Sequence, residues 1–525
     1  MRSILLPLAL LCALAAPALA QDGPVSRTLA SAIDAYDDGN LRGALTILRE
    51  AQKSAPQDPR VLVWLARVHA DLGRDDLAID YLTQAASTDP EVSRREALLY
   101  GRVLQRLGRY EEAIQAYTLA TSGRPTEDDV EAIRRGTLES RRAWADEERK
   151  LSIPVTHLGA EVNSRFDEAA PIWAPDGSAI VFTSRRDGGL NDAIDEAGDF
   201  RFFSDIYTAK RRKDGTWERS SLLPGGINTT GHDAALAWPG GRDSLLVYLN
   251  NEALAGDICV SRRDADGMWS AATPLPRPIN SSYFEGSATV SGDGKYLYFV
   301  SERPTGIGRG DVYVSERTRT GAWGKPEVLA TTINTTGDEK FVQTSTDGTI
   351  LFIASDGLPG YGNYDLYRTE RVDGLWSVPL NLGLPVNSPR EESTFSLSAD
   401  GRSLLMASEL PTGFGDRDLY LADVSAHPHR GARAFTPQAG MLTVTVVADA
   451  KPAAGALVEI FDASGLAVLA SGTTDATGTY RIPVHAGTDF TVRAQLRSRK
   501  ATTSFRHDFP ATPSAWSDAV RLEIK

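Results

Sequence analysis

Cysteine is almost missing from this chain, which holds two in 525 residues, Cys12 and Cys259. Methionine numbers four and histidine seven. A disulfide-stapled scaffold and a thiolate-rich zinc fold are therefore excluded. The histidines (His69, His157, His232, His427, His429, His485 and His507) never form His-Glu-x-x-His, so a zinc-protease ligand set is lacking. No Gly-x-Ser-x-Gly occurs, which removes the nucleophile elbow of many hydrolases. Gly321-Ala322-Trp323-Gly324-Lys325 lacks the earlier glycine and the hydroxyl residue of a phosphate loop. Positive charge is in deficit, 56 Lys and Arg against 69 Asp and Glu, a formal charge of -13 that argues against a nucleic-acid or anionic-membrane surface. Beyond the first twenty residues no run is apolar enough to cross a bilayer. The expectation is a protein that is not an enzyme, with no catalytic residue, no cofactor and no metal ligand.

Much else is present. Hydrophobic residues make up 42% and charged residues 24%, values of ordinary globular protein. With 46 Gly, 28 Pro and nine Trp, the composition suits many short strands joined by turns. Met1-Arg2-Ser3, an apolar run from Ile4, and Ala18-Leu19-Ala20 before Gln21 are the parts of a secretory signal peptide over residues 1–20, cleaved after Ala20. Cys12 follows Leu11, where a lipoprotein signal would place a small residue, so no lipid anchor is expected. The mature chain then keeps one thiol, Cys259, expected as a small buried hydrophobe.

A period of 34 to 35 residues runs through the front of the chain. It relates Gly39, Gly73 and Gly108; Ala44, Ala78 and Ala113; Ala51, Ala85 and Ala120; and Pro56, Pro90 and Pro125. Small residues at fixed spacing let paired helices approach, glycine ends the first helix and proline stops the second. The pattern resembles the tetratricopeptide repeat over residues 21–126. A capping or linker helix is expected over 127–150, starting at Thr126-Glu127-Asp128-Asp129. The resemblance implies a groove lined by first helices that receives protein partners. It places Tyr36, Arg60, Arg67, Arg95, Arg102 and Arg106 there, a set suited to an acidic or carboxylate-bearing segment. A solvated face balanced by Asp71, Asp75 and Asp76 is the competing reading.

After residue 150 the pattern alternates. Asp205-Ile206-Tyr207, Asp257-Ile258-Cys259, Asp311-Val312-Tyr313, Asp365-Leu366-Tyr367 and Asp418-Leu419-Tyr420 recur at intervals of 52 to 54. Asn163, Asn228, Asn280, Asn334 and Asn387 form a second column, and Trp217, Trp269, Trp323 and Trp376 a third with one member fewer. Turns such as Asp293-Gly294 separate apolar strands. The repeat has the size of a four-stranded blade, so residues 151–424 are expected as a five-bladed β-propeller. Pro154-Val155-Thr156-His157-Leu158-Gly159 matches Pro379-Leu380-Asn381-Leu382-Gly383, and 153–162 are expected to supply the missing outer strand. With Trp173-Ala174-Pro175-Asp176-Gly177 nearest its form, the segment resembles the WD40-like repeat of the TolB type (PD40). An insertion, residues 187–199, is rich in the hard oxygens that hold calcium but lacks EF-hand register, and is expected as an acidic surface loop, with a calcium site, or a docking loop formed with Phe200, Phe202 and Phe203, as the alternatives.

A linker is expected over 425–438. Over 439–525, strands at Leu442–Val447 and Ala456–Ile460, the segment Thr474-Asp475 to Gly478-Thr479-Tyr480, and a strand at Phe490–Val492 resemble the carboxypeptidase regulatory-like domain, a small prealbumin-like β-sandwich. The fold class is thus multidomain: an α-helical solenoid, a propeller and a sandwich. The domain order resembles exported bacterial envelope proteins of the OmpA-associated family, here without the OmpA-like domain, so peptidoglycan binding is not carried over. The resemblance implies a periplasmic or outer-membrane-associated scaffold or adaptor, linked to an outer-membrane or secretion assembly and binding protein partners. A periplasmic carrier or sensor holding a small ligand or glycan in the propeller channel is the alternative.

Overall fold

The computed structural model describes residues 24–123, 125–148, 150–251, 254–345, 347–426, 438–465, 467–508 and 516–524. The signal peptide and most of the 425–438 linker lie outside them. The chain divides into two units: residues up to 149 together with Asp192–Phe203, and Lys150–Asn191 together with Ser204–Lys525.

Helix pairing in the first unit follows from its glycines and alanines. The helices are α1 (Pro24–Asp37), α2 (Leu41–Ser54), α3 (Pro59–Asp71), α4 (Asp75–Thr88), α5 (Val92–Arg95), α6 (Ala97–Arg106), α7 (Tyr110–Ala120) and α8 (Glu127–Glu147). Gly39, Gly73 and Gly108 take φ of 82°, 70° and 73°, the left-handed turn that reverses the chain after α1, α3 and α6. Ala44, Ala78 and Ala113 are fully buried where paired helices meet. Helix α8 starts on a reciprocal capping box between Thr126 and Asp129. It is locked in place by Tyr117, whose ring fills the space that side chains at Gly101 and Gly136 would occupy. The Tyr117 hydroxyl donates to Gln105 Oε1 (2.6 Å), and Gln105 Nε2 donates to Glu139 Oε2 (2.9 Å).

Five antiparallel sheets begin the second unit. Their first strands are Glu168–Trp173, His232–Ala237, Glu285–Val290, Glu339–Thr344 and Thr394–Leu397. In the fifth sheet the outermost strand is Val155–His157, which pairs with Asp418–Asp423 although some 260 residues separate them. An apolar cluster lies between each consecutive pair of sheets. The cycle is completed by Trp173, Phe182 and Tyr207 of the first sheet packing with Leu405, Ala407 and Leu419 of the fifth.

The asparagine column shows what joins neighbours. Asn280 Oδ1 accepts from Ile258 N (3.0 Å) while its Nδ2 donates to Ile258 O (2.9 Å). Asn228, Asn334 and Asn387 hold Ile206, Val312 and Leu366 in the same way. Asn163 holds Leu419, the equivalent residue of the last sheet. Five residues after each asparagine stands a buried carboxylate: Glu168, Asp233, Glu285, Glu339 and Glu392. Each accepts from the backbone and hydroxyl of a Ser or Thr four residues earlier. Arg186 and Arg303 pair with Glu168 and Glu285 at 3.1 Å. Burial raises Glu168 even against the Arg186 charge, and pushes Asp233 and Glu339 to about 7 and Glu392 to about 8.

The C-terminal part is two four-stranded sheets around one apolar cluster that includes Leu442, Val458, Ile482 and Val492. Val378, just after the fourth sheet's Leu375–Trp376 strand, joins that cluster, and its N–H donates to Pro483 O (3.0 Å). Beside it a polar knot is buried. Arg368 pairs with Glu370, and Glu370 accepts from the backbone N–H of Gln438 and Ala439. Burial holds His485 neutral, so its Nδ1 accepts from Arg368 (3.3 Å) and its Nε2 donates to Ser377 Oγ (3.1 Å).

Two outcomes follow. Asn163→Ala takes the acceptor from the Leu419 N–H, while the Leu419 C=O keeps the Leu158 N–H (3.2 Å), so urea unfolding should show a loss of about 1–3 kcal/mol. Stability should also fall from pH 6.5 to 8.5. Asp233, Glu339 and Glu392 keep protons in the folded state that the unfolded chain has released, so raising pH favours unfolding until their folded pKa values are passed. Below pH 6.5 the neutral buried His69 and His485 act in the opposite direction. A pH series of melting temperatures checks this, and Glu392→Gln should flatten it.

Candidate interaction surfaces

Helices α1, α3 and α6 carry the residues expected in the groove, apart from Arg95 at the end of α5. The structure gives most of their charges intramolecular partners. Arg60 forks onto Asp58, the N-cap of its own helix, at 3.1 and 2.7 Å. Arg95 meets Asp89 at 2.7 Å. Arg106 reaches the buried Asp75 at 2.6 Å and donates to Ala70 O at 3.0 Å, tying α6 to the α3–α4 turn. Arg67 pairs with Glu96 while its guanidinium lies 5.4 Å from the Trp64 ring centroid.

Arg102 differs. It is exposed, and among the described residues it has no ion-pair partner. It lies close enough to Tyr36 and Tyr117 to act on both hydroxyls electrostatically. Tyr36 packs edge-on against Trp64 (5.3 Å between centroids) and its hydroxyl donates to Asp71. Burial and the Asp71 charge raise the Tyr36 pKa, so the hydroxyl remains a donor. Of the three acids offered as balancing charges, Asp75 and Asp71 are engaged, one by Arg106 and the other by Tyr36. Of the five arginines expected on this face, Arg102 alone has no ion-pair partner among the described residues, and it stands beside an aromatic shelf.

A second surface lies in the five-sheet region. A cavity of about 380 Å³ is walled by residues of all five first strands and the turns that follow them. Ile172, Trp173, Leu236, Trp238, Phe341 and Phe395 form its apolar wall, and no ionisable side chain lines it. Cys259 is buried between the first two sheets, and burial raises its thiol to about 12, leaving it protonated and unreactive. Among the described residues no group of three His, Cys, Asp or Glu side chains is arranged to hold a metal ion. Among the described residues no helix is long and apolar enough to cross a membrane.

Sequence reasoning did not single out the buried carboxylate column or the Arg368–Glu370–His485 knot. The first was legible, since its spacing copies that of the asparagines. The second was not, because its members belong to different sheets and fall in no repeat.

Comparison with known proteins locates the helical part. Models of the tetratricopeptide repeat match residues 29–93 and 98–126. Among solved structures, the P58(IPK) TPR domain is 17% identical, covering 24% of this chain and 35% of that one, with a TM-score of 0.22. MamA AMB-1 is 24% identical over 24% of this chain and 71% of its own (TM-score 0.21). The Sgt2 TPR domain from Aspergillus fumigatus is 20% identical over 26% and 91% (TM-score 0.22). The chain thus spans about a third of the first of these. No curated protein matches it. Its N-terminal region is built of tetratricopeptide repeats, which imply protein–protein interaction.

The ion pairs make distinct demands on stability. Arg106→Ala removes the guanidinium that pairs with the buried Asp75 carboxylate and should cost about 3–5 kcal/mol. Arg102→Ala breaks no contact and should leave the melting temperature unchanged. Calorimetric melting of the two variants makes the comparison.

Proposed function

We propose that this protein is a non-catalytic scaffold of the bacterial cell envelope that holds a protein partner in its helical groove. The observation that carries this reading is the match of residues 29–93 and 98–126 to a repeat whose role is protein interaction. The partner segment bears a single carboxylate next to an apolar side chain. Arg102 offers it a charge without an ion-pair partner among the described residues, and Tyr36 and Trp64 offer the shelf. A strongly acidic stretch fits less well, because Arg60, Arg67, Arg95 and Arg106 would have to give up carboxylates they already hold.

In this reading the five sheets are the blades of a WD40-like propeller of the TolB type, closed by the Val155–His157 strand. Support comes from apolar clusters that link the sheets in a cycle and from the Asn163 bond to Leu419. The C-terminal pair of sheets is a carboxypeptidase regulatory-like sandwich, used as an accessory module and not as a peptidase. Export by the N-terminal signal places the protein in the periplasm or at the outer membrane.

Affinity purification from envelope fractions tests the reading. The intact chain should recover a partner that Arg102→Glu loses, while Arg60→Ala retains it. Equal recovery by Arg102→Glu overturns the groove assignment. N-terminal sequencing of the recovered protein should begin at Gln21.

A further inference from the structure

The walls of the cavity between the five first strands are not alike, although the repeats that build them are. At the fourth residue after each buried carboxylate stand, in order, Ile172, Ala237, Thr289, Gln343 and Ser396. All five line the cavity. The first two sheets thus present apolar side chains there, and the next position adds the rings of Trp173 and Trp238. The last three present a hydroxyl, a carboxamide and a hydroxyl. A ring needing only mutual packing would repeat one residue type, as it does with its asparagines. At this position the lining is apolar on the first two sheets and hydrogen-bonding on the last three, while Phe341 and Phe395 add rings from the fourth and fifth.

The hydrogen-bonding side keeps spare capacity. Gln343 Oε1 accepts from Leu397 N (3.0 Å), which fixes the carboxamide and leaves its Nε2 without an acceptor among the described residues. Ser396 Oγ accepts from Trp173 N (3.3 Å), and its hydroxyl hydrogen has no acceptor among the described residues. The Thr289 hydroxyl has no protein partner among the described residues, although the residue is only 6% exposed. Three polar groups on adjacent strands therefore converge on one space with bonds still to make. Two are already oriented by the backbone bonds they accept.

We propose that this cavity is a binding site for an uncharged carbohydrate. Small-ligand sites run from about 300 to 1,000 Å³, and 380 Å³ falls within that range. A sugar ring has an apolar C–H face and an equatorial belt of hydroxyls, and this cavity offers aromatic rings for the one and hydrogen-bonding side chains for the other. The face stacks on the Trp238 side, and the hydroxyls meet Thr289, Gln343 and Ser396. The lack of any ionisable lining residue selects against acidic sugars and phosphates, whose charge would be desolvated without a counter-ion. The site is independent of the helical groove, so failure of one assignment leaves the other standing.

Titration calorimetry of the intact protein is the test, with lactose, maltotriose and N,N′-diacetylchitobiose as neutral probes and glucuronate as the charged control. Saturable binding of at least one neutral probe, with none of glucuronate, is expected. Thr289→Val, which keeps the side-chain shape, should weaken that binding about five- to tenfold, the effect of one lost hydrogen bond. Gln343→Leu should weaken it further. If Gln343→Leu fails to fold, because Leu397 N–H loses its acceptor, Thr289→Val still decides. The proposal is overturned if no neutral probe binds, or if glucuronate binds equally. It also falls if Thr289→Val binds as the unaltered protein does, or if the apolar dye Nile red enters a cavity that all the sugars ignore.

Discussion

One asparagine per sheet, clasping both backbone groups of a single residue on the preceding sheet, is the constraint on which the five-sheet region depends. Those backbone groups lie in the interior, where an unmet N–H or C=O is costly. A carboxamide is the one side chain that donates and accepts with the spacing of a peptide. Because Asn163 gives to Leu419 what Asn280 gives to Ile258, the last junction has the chemistry of the others. The strand Val155–His157 then covers an edge that would otherwise stay open.

Below each clasp sits a buried carboxylate, and its charge is managed in two ways. Arg186 and Arg303 neutralise two of the five. Asp233, Glu339 and Glu392 have hydroxyl and backbone donors alone, so protonation is their cheaper state near neutrality. The ring is thereby most comfortable on the acidic side of neutrality. The Arg368–Glu370–His485 knot belongs to a different class. It seats the start of the C-terminal sheets on the fourth sheet by giving Gln438 and Ala439 their backbone acceptor. Breaking such a pair leaves an unmatched charge inside, so the knot fixes the relation of these modules more than it adds net stability.

In the helical unit, electrostatics work against a simple count of arginines. Several guanidiniums on one face suggest a basic groove, yet Asp58, Asp89, Glu96 and Asp75 absorb four of them. What distinguishes Arg102 is that, among the described residues, it has no ion-pair partner. A surface that presents one free charge beside Tyr36 and Trp64 selects by shape and position, where a field of five charges would attract acidic chains of many kinds.

Read alone, the sequence determined everything governed by a period. The glycine and alanine columns set the helix pairs, because small residues at fixed spacing have one packing solution. The asparagine and Asp-x-Tyr columns set the size and number of the sheets. The gap in the tryptophan column, with the likeness of 154–159 to 379–383, pointed to the strand that completes the fifth. Only the tertiary structure decided which charges are spent. Arg106 and Asp75 are 31 residues apart, and His485 is more than a hundred from Arg368 and Ser377. It also decided that Ile172, Ala237, Thr289, Gln343 and Ser396, different residues at one register position, look into a common cavity. A repeat reports what every copy must do for the fold. What one copy does differently acquires meaning only when its neighbours in space are known.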